Sequence, residues 1–122
     1  MKLLSGKYLL DKAYKNDFAV GEFNVSNMEV MQAVVEAANE KKSPIIIGVS
    51  NGAVDYAGWD FLHNLVEAAA QNSEVPIALH FDHAESYSTI IKALRNDFTS
   101  VMIDVSRSDF EENIDLTRQV VE

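Results

Sequence analysis

Short, continuous apolar runs that alternate with amphipathic segments constrain this chain more than any other feature. The clearest run is Ile45-Ile46-Ile47-Gly48-Val49-Ser50, followed by Val75-Pro76-Ile77-Ala78-Leu79-His80-Phe81-Asp82 and Ser100-Val101-Met102-Ile103-Asp104. A strand with one wet face alternates apolar and polar residues, whereas one apolar at every position is buried on both faces, as in a parallel sheet covered by helices. Phe18 to Val25 is rich in aromatic and β-branched residues and reads as an earlier strand. Between the runs, Val30, Met31, Val34, Val35 and Ala38 recur at helical spacing. The same holds for Phe61, Leu62, Leu65, Val66 and Ala69, for Tyr87, Ile90, Ile91 and Leu94, and for Phe110, Ile114 and Val121. Met1 to Lys15 has a helical stripe as well. Ser26 before Glu29, and Ser108 before Glu111, predict capping boxes. Pro44 ends the helix that runs through Lys41-Lys42, and Asn51-Gly52 predicts a turn.

This order amounts to about four strand–helix units repeating every ~25–30 residues. Two α/β architectures accept it: an open doubly wound sheet, or part of a (β/α)8 barrel. A whole barrel needs ~200 residues or more, so 122 residues hold about half of one. The final helical stripe reaches Arg118-Gln119-Val120-Val121-Glu122 with no Gly, Asn or Pro to close it. This favours one domain, residues 1–122, that is part of a (β/α)8 TIM barrel truncated at its C-terminus, over a finished open sheet.

Composition narrows the function. With no cysteine, disulfides and thiolate metal sites are excluded, and a cytoplasmic protein is the default expectation. The formal net charge of −9 argues against nucleic-acid binding, because phosphate contacts need clustered Lys and Arg. No apolar run approaches the ~20 residues of a membrane span, and Met1 to Leu10 does not read as a signal peptide.

Polar residues recur where each predicted strand ends: Asn24, Ser50, Asp82 with His83, and Asp104. In α/β proteins that edge of the sheet binds ligands. Such residues also cap helices and form turns, and any one of them alone reads that way; four together shift the balance toward a site. His80-Phe81-Asp82-His83 is the most informative stretch. A histidine can give zinc a neutral nitrogen, and a neighbouring carboxylate can move a proton beside a polarised carbonyl.

Preceded by Val75-Pro76-Ile77-Ala78-Leu79 and followed by Ala84, this H-x-D-H resembles the first signature of the class II, metal-dependent fructose- and tagatose-bisphosphate aldolases. Ala19 to Val25 resembles that family's first strand, Ser43 to Ala53 its second, and Thr99 to Asp104 with Phe110 to Asn113 its fourth strand and the following helix. Asp82-His83-Ala84-Glu85-Ser86 leans toward the tagatose branch. The resemblance implies that Asp82 is the catalytic acid/base, His83 a zinc ligand, and Asp104 a carboxylate for a displaced second metal. It implies that Asn24 and Ser50 line the cleft for a phosphorylated ketose, and it carries the expectation of a homo-oligomer, dimer or higher. His80 is expected to hold the strand end, and His63 to pack on a helix.

The chain departs from the family in two places. Where most relatives have Asp-Gly-Ser-His it has Asp104-Val105-Ser106-Arg107, and where many have Gly before Phe it has Asn96-Asp97-Phe98. Relatives also draw two further zinc histidines, a mobile-loop glutamate and a glycine-rich phosphate site from their second half, so the 122 residues alone are expected to lack activity. Two other readings stay open: a non-catalytic half-barrel that self-associates through its open edges, and a flavodoxin-like domain for a small ligand.

Overall fold

Every strand is bracketed by helices, in the order α1 (Gly6–Lys15), β1 (Gly21–Asn24), α2 (Met28–Lys41), β2 (Ile45–Val49), α3 (Asn51–Ala57), α4 (Trp59–Asn72), β3 (Ile77–Ala84), α5 (Tyr87–Arg95), β4 (Ser100–Ile103) and α6 (Phe110–Val121). The structure is a computed structural model that describes residues 3–122; Met1 and Lys2, part of the expected first helix, lie outside the described residues. The strands form one sheet in the order β1-β2-β3-β4, and each neighbouring pair is parallel. Parallel neighbours need a crossover, which the helices supply.

The runs at 45–49 and 77–84 become the inner strands, whereas Ser100–Ile103 forms β4 at the edge of the sheet and is only partly buried. All five residues of β2 are buried, as are Ile77, Ala78, Leu79, Phe81 and Ala84 of β3. Alternation sorts them between two faces. Ile45, Ile47, Val49, Ile77, Leu79 and Phe81 pack with Met31 and Val35 of α2, Leu62 and Val66 of α4, and Ile90 and Ala93 of α5. Ile46 and Ala78 turn the other way, onto Leu9 of α1 with Leu4 and Val20 beside it. Phe81 is fully buried; it stacks on Trp59 at 5.1 Å and meets the edge of Phe98 at 5.5 Å.

Local chemistry moved several boundaries. The expected strand over 18–25 shortens to β1, because Asp17 turns left-handed (φ 55°) and the Phe18 amide still bonds back to the Ala13 carbonyl. The cap of α2 is Asn27, not Ser26: its Oδ1 accepts from the Val30 amide at 2.9 Å. Asp109, not Ser108, precedes α6, without a side-chain cap bond. Asn51-Gly52 starts a helix rather than a turn, since the Ser50 hydroxyl oxygen accepts from the Ala53 amide. Val105 is buried with an ordinary negative φ, so that position does not need glycine.

Asp97 is different. It follows α5 in the left-handed region, φ 58°, where a Cβ is strained and glycine is favoured. Asp97→Gly is therefore expected to raise unfolding stability by roughly 0.5–1 kcal/mol, the relief of strain outweighing the added freedom of the unfolded chain. Urea titration checks this, and a loss of stability would mean that the Asp97 side chain contributes more than its backbone costs.

Candidate active site

Because the strands run parallel, their C-terminal ends share one edge, and the polar residues of the four strands meet there. Asn24 ends β1, Ser50 follows β2, Asp82 and His83 lie near the end of β3, and Asp104 follows β4. The β3–β4 ladder pairs Phe81 with Val101 and Ala84 with Ile103, so Asp82 and His83 together face the single residue Met102. That is a β-bulge. His83 takes the left-handed conformation, φ 51°, uncommon for a non-glycine residue; the other three, Asp17, Lys42 and Asp97, all follow helices, whereas His83 lies within a strand.

The bulge has a direct chemical consequence. In a regular strand adjacent side chains point to opposite faces, yet here His83 Nε2 lies 3.5 Å from Asp82 Oδ1 and His83 Nδ1 lies 2.6 Å from Asp104 Oδ2. Asn24 Nδ2 reaches Asp82 Oδ2 at 3.5 Å. Two bonds brace the arrangement from behind: Asn51 Nδ2 donates to the His83 carbonyl at 3.1 Å, and the Ser106 amide donates to Asp104 Oδ1 at 3.1 Å. Asn24, Asp82, His83 and Asp104 thus form one connected row. Ser50 stands beside the row and shares with Asn24 a cavity of about 360 Å³ that Ser26, Gly52 and Tyr56 also line.

Charge follows the contacts. The hydrogen bond from His83, and then those from Ser106, hold the Asp104 carboxyl down at about 2. The hydrogen bond to Asp104, with the charge of Asp82 behind it, pushes the His83 imidazole above its ordinary range. A cation at Nε2 must displace the proton which that nitrogen carries in the imidazolium, while the Nδ1–H stays on Asp104.

His83 meets the Asp82 carboxylate through Nε2 and the Asp104 carboxylate through Nδ1, so the two carboxylates flank opposite nitrogens of the ring rather than sharing one point with it. His83 is 59% exposed at its side chain, against 18% for Asp82 and 25% for Asp104, so the ring is the solvent-accessible member of the row. Catalytic zinc ordinarily has three protein ligands, and among the described residues His83 is the one imidazole in this row.

His80 does tie the strands together, with Nδ1 at 2.8 Å from Ser100 Oγ. It also lies beside Asp82 and Glu22, and one ligand atom from each of the three falls within 4.8 Å of the others. Glu22 went unread in the sequence, although alternation along β1 puts it on the face of Asn24. His63 is half-buried on α4. Arg107 sits with Asp104, Glu85 and Ser108 around a separate cavity of about 240 Å³.

Residues 5–122 match the family model described as fructose-bisphosphate aldolase class-II. The chain belongs to the class II fructose-bisphosphate aldolase family. It is 50% identical over 120 residues to the fructose-bisphosphate aldolase of Thermus caldophilus, covering 98% of this chain and 39% of that one. It is 46% identical over 125 residues to that of Geobacillus stearothermophilus, covering all of this chain and 44% of the relative. Among solved structures it superposes on the YdjI aldolase of Escherichia coli K12 with a TM-score of 0.89 at 36% identity, over 98% of this chain and 46% of that one. The chain thus spans about two-fifths of the length of these relatives, and its four parallel units correspond to the N-terminal half of an aldolase TIM barrel. A flavodoxin-like domain is set aside by the same match. Among the described residues no helix is long and apolar enough to cross a membrane.

Proposed function

We propose that this chain is the N-terminal half of a cytoplasmic, zinc-dependent ketose-bisphosphate aldolase. The reaction is reversible cleavage of fructose 1,6-bisphosphate, or its tagatose epimer, to dihydroxyacetone phosphate and glyceraldehyde 3-phosphate. The observation that carries the reading is the bulge in β3, which sets the Asp82 carboxylate 3.5 Å from the His83 imidazole at the ligand-binding edge of the sheet. Relatives named fructose-bisphosphate aldolase support the fructose substrate. His83 would hold zinc, and Asp104 would keep that imidazole oriented or receive a displaced second metal. Zinc, when bound, draws electron density from the ketose carbonyl. Asp82 takes the proton of the carbinol hydroxyl as the carbon–carbon bond breaks, and returns it in the condensation direction. Its 18% exposure keeps that carboxylate out of bulk water, and Asn24 steadies it. Asn24 and Ser50, on the cavity they share, would line the path of the substrate. We assign the working protein a homo-oligomeric state, dimer or higher.

The 122 residues alone are expected to show no measurable cleavage and only weak zinc affinity. One imidazole does not complete a catalytic zinc site, and without phosphate loops the remote binding energy that positions the reacting carbons is lost. Joining a second aldolase half-barrel, in cis or as a separate chain, should restore zinc binding and triose-phosphate release together. Metal analysis beside a coupled triose-phosphate assay decides the matter; robust cleavage by the 122 residues alone would show that the catalytic groups have been misplaced.

A further inference from the structure

We infer that Glu22, His80 and Asp82 form a second divalent-cation site on the inner face of the sheet, distinct from His83 and Asp104. Glu22 and Asp82 belong to strands β1 and β3, with β2 between them. Glu22 gets across because β2 carries Gly48 at the crossing. A Cβ added to Gly48 would stand 2.6 Å from Glu22 Oε1 and 3.1 Å from Asn24 Oδ1. The missing methyl is therefore the space in which the carboxylate lies. From that space Glu22 comes within reach of both His80 and Asp82, one donor atom of each residue lying within 4.8 Å of the others.

The imidazole is already oriented. Its Nδ1 is engaged by Ser100 Oγ at 2.8 Å, which leaves Nε2 for another partner. A histidine that ligates a metal is normally held this way through its second nitrogen. Among the described residues no lysine or arginine pairs with the Glu22 or Asp82 carboxylate, so an exposed Glu22 and a partly buried Asp82 stand together without a permanent cation opposite them. Donor atoms around a tetrahedral ion stand on the order of 3.4 Å apart, so small side-chain rotations close the group around one ion. One nitrogen and two carboxylate oxygens make a harder set than three imidazoles and suit Mn²⁺, Co²⁺ or Zn²⁺, with water completing the shell.

Occupancy has a cost for the chemistry. The ion would take the Asp82 carboxylate, and a ligated carboxylate cannot accept the carbinol proton. Excess divalent metal would therefore inhibit turnover; that consequence rests on the proposed aldolase reading, whereas the binding site does not.

The test uses the 122-residue chain and Mn²⁺, followed by loss of the free-ion electron paramagnetic resonance signal. His83→Ala with Asp104→Asn serves as the background that removes the other donors. This background is expected to keep one Mn²⁺. Adding Glu22→Gln, or separately Gly48→Ala, is expected to weaken binding at least about tenfold, with far-ultraviolet circular dichroism unchanged. The Gly48 variant works from the backbone side, through the displaced end of a flexible side chain, so two unlike changes must agree. No binding at millimolar Mn²⁺ in the background, or affinities within twofold after both additions, would overturn the site.

Discussion

Asp82→Ala, in the protein completed by its second half, is expected to lower kcat by about 10²–10⁴-fold while one equivalent of zinc stays bound. His83→Ala is expected to lower zinc content and kcat together. The split follows from the geometry. The Asp82 carboxylate is less exposed than His83 and lies against the imidazole, where it can carry a proton between hydroxyl and site. His83 presents its nitrogens from a bulged, left-handed residue, the one point of β3 where the backbone turns the ring toward Asp104. On the proposed roles, removing Asp82 takes away the proton carrier and leaves the electrophile, whereas removing His83 takes away the electrophile's ligand and so the electrophile too. The measurement is kcat for cleavage beside zinc per chain after dialysis. Full turnover in Asp82→Ala would take Asp82 out of the mechanism, and unchanged zinc content in His83→Ala would take His83 out of the metal site.

The largest stability loss is expected from Phe81→Ala, about 3–5 kcal/mol. Phe81 is fully buried and stands between Trp59 and Phe98, so truncation leaves a cavity walled by two rigid rings and by strands that cannot collapse into it. Aromatic stacking is lost as well, worth about 0.5–1.5 kcal/mol beyond area. Against the ~5–15 kcal/mol typical of a folded domain, this is a large share, and the loosened residue directly precedes Asp82 and His83. Urea unfolding followed by the single tryptophan, Trp59, reports it directly. Phe110→Ala is the control: Phe110 is 76% exposed, so its loss should stay within about 0.5 kcal/mol. A Phe81→Ala loss under about 1 kcal/mol would mean that the aromatic trio is not a cooperative part of the core.

Much of the molecule was legible beforehand because burial leaves a pattern in the order of residues. The runs at 45–49 and 77–79 are apolar throughout since helices cover one face and α1 the other, and the parallel order of strands follows from that double burial. The polar residues Asn24, Ser50, Asp82, His83 and Asp104 could be placed on one edge by the same logic, since parallel strands end together. Boundaries were less legible. Asn27 could outcompete Ser26 as a cap because both are good acceptors one residue apart, and only the path of the chain chooses between them. Asn51-Gly52 reads as a turn until the Ser50 cap recruits it into a helix.

The sequence by itself determined the α/β alternation, the buried strands, the shared edge of polar residues and the family. All of these depend on residue type and spacing, which are local. Tertiary structure alone decided the working geometry. Nothing in the letters His83 reveals a φ of 51°, because that angle comes from β3 accommodating one residue more than β4 between Phe81 and Ala84. Nor does Gly48 in an apolar run announce that Glu22 will lie over it, because that contact joins residues of neighbouring strands far apart in the chain. Side-chain direction at a bulge and room beside a glycine are set by the pairing partner, and the partner is known only once the sheet has formed.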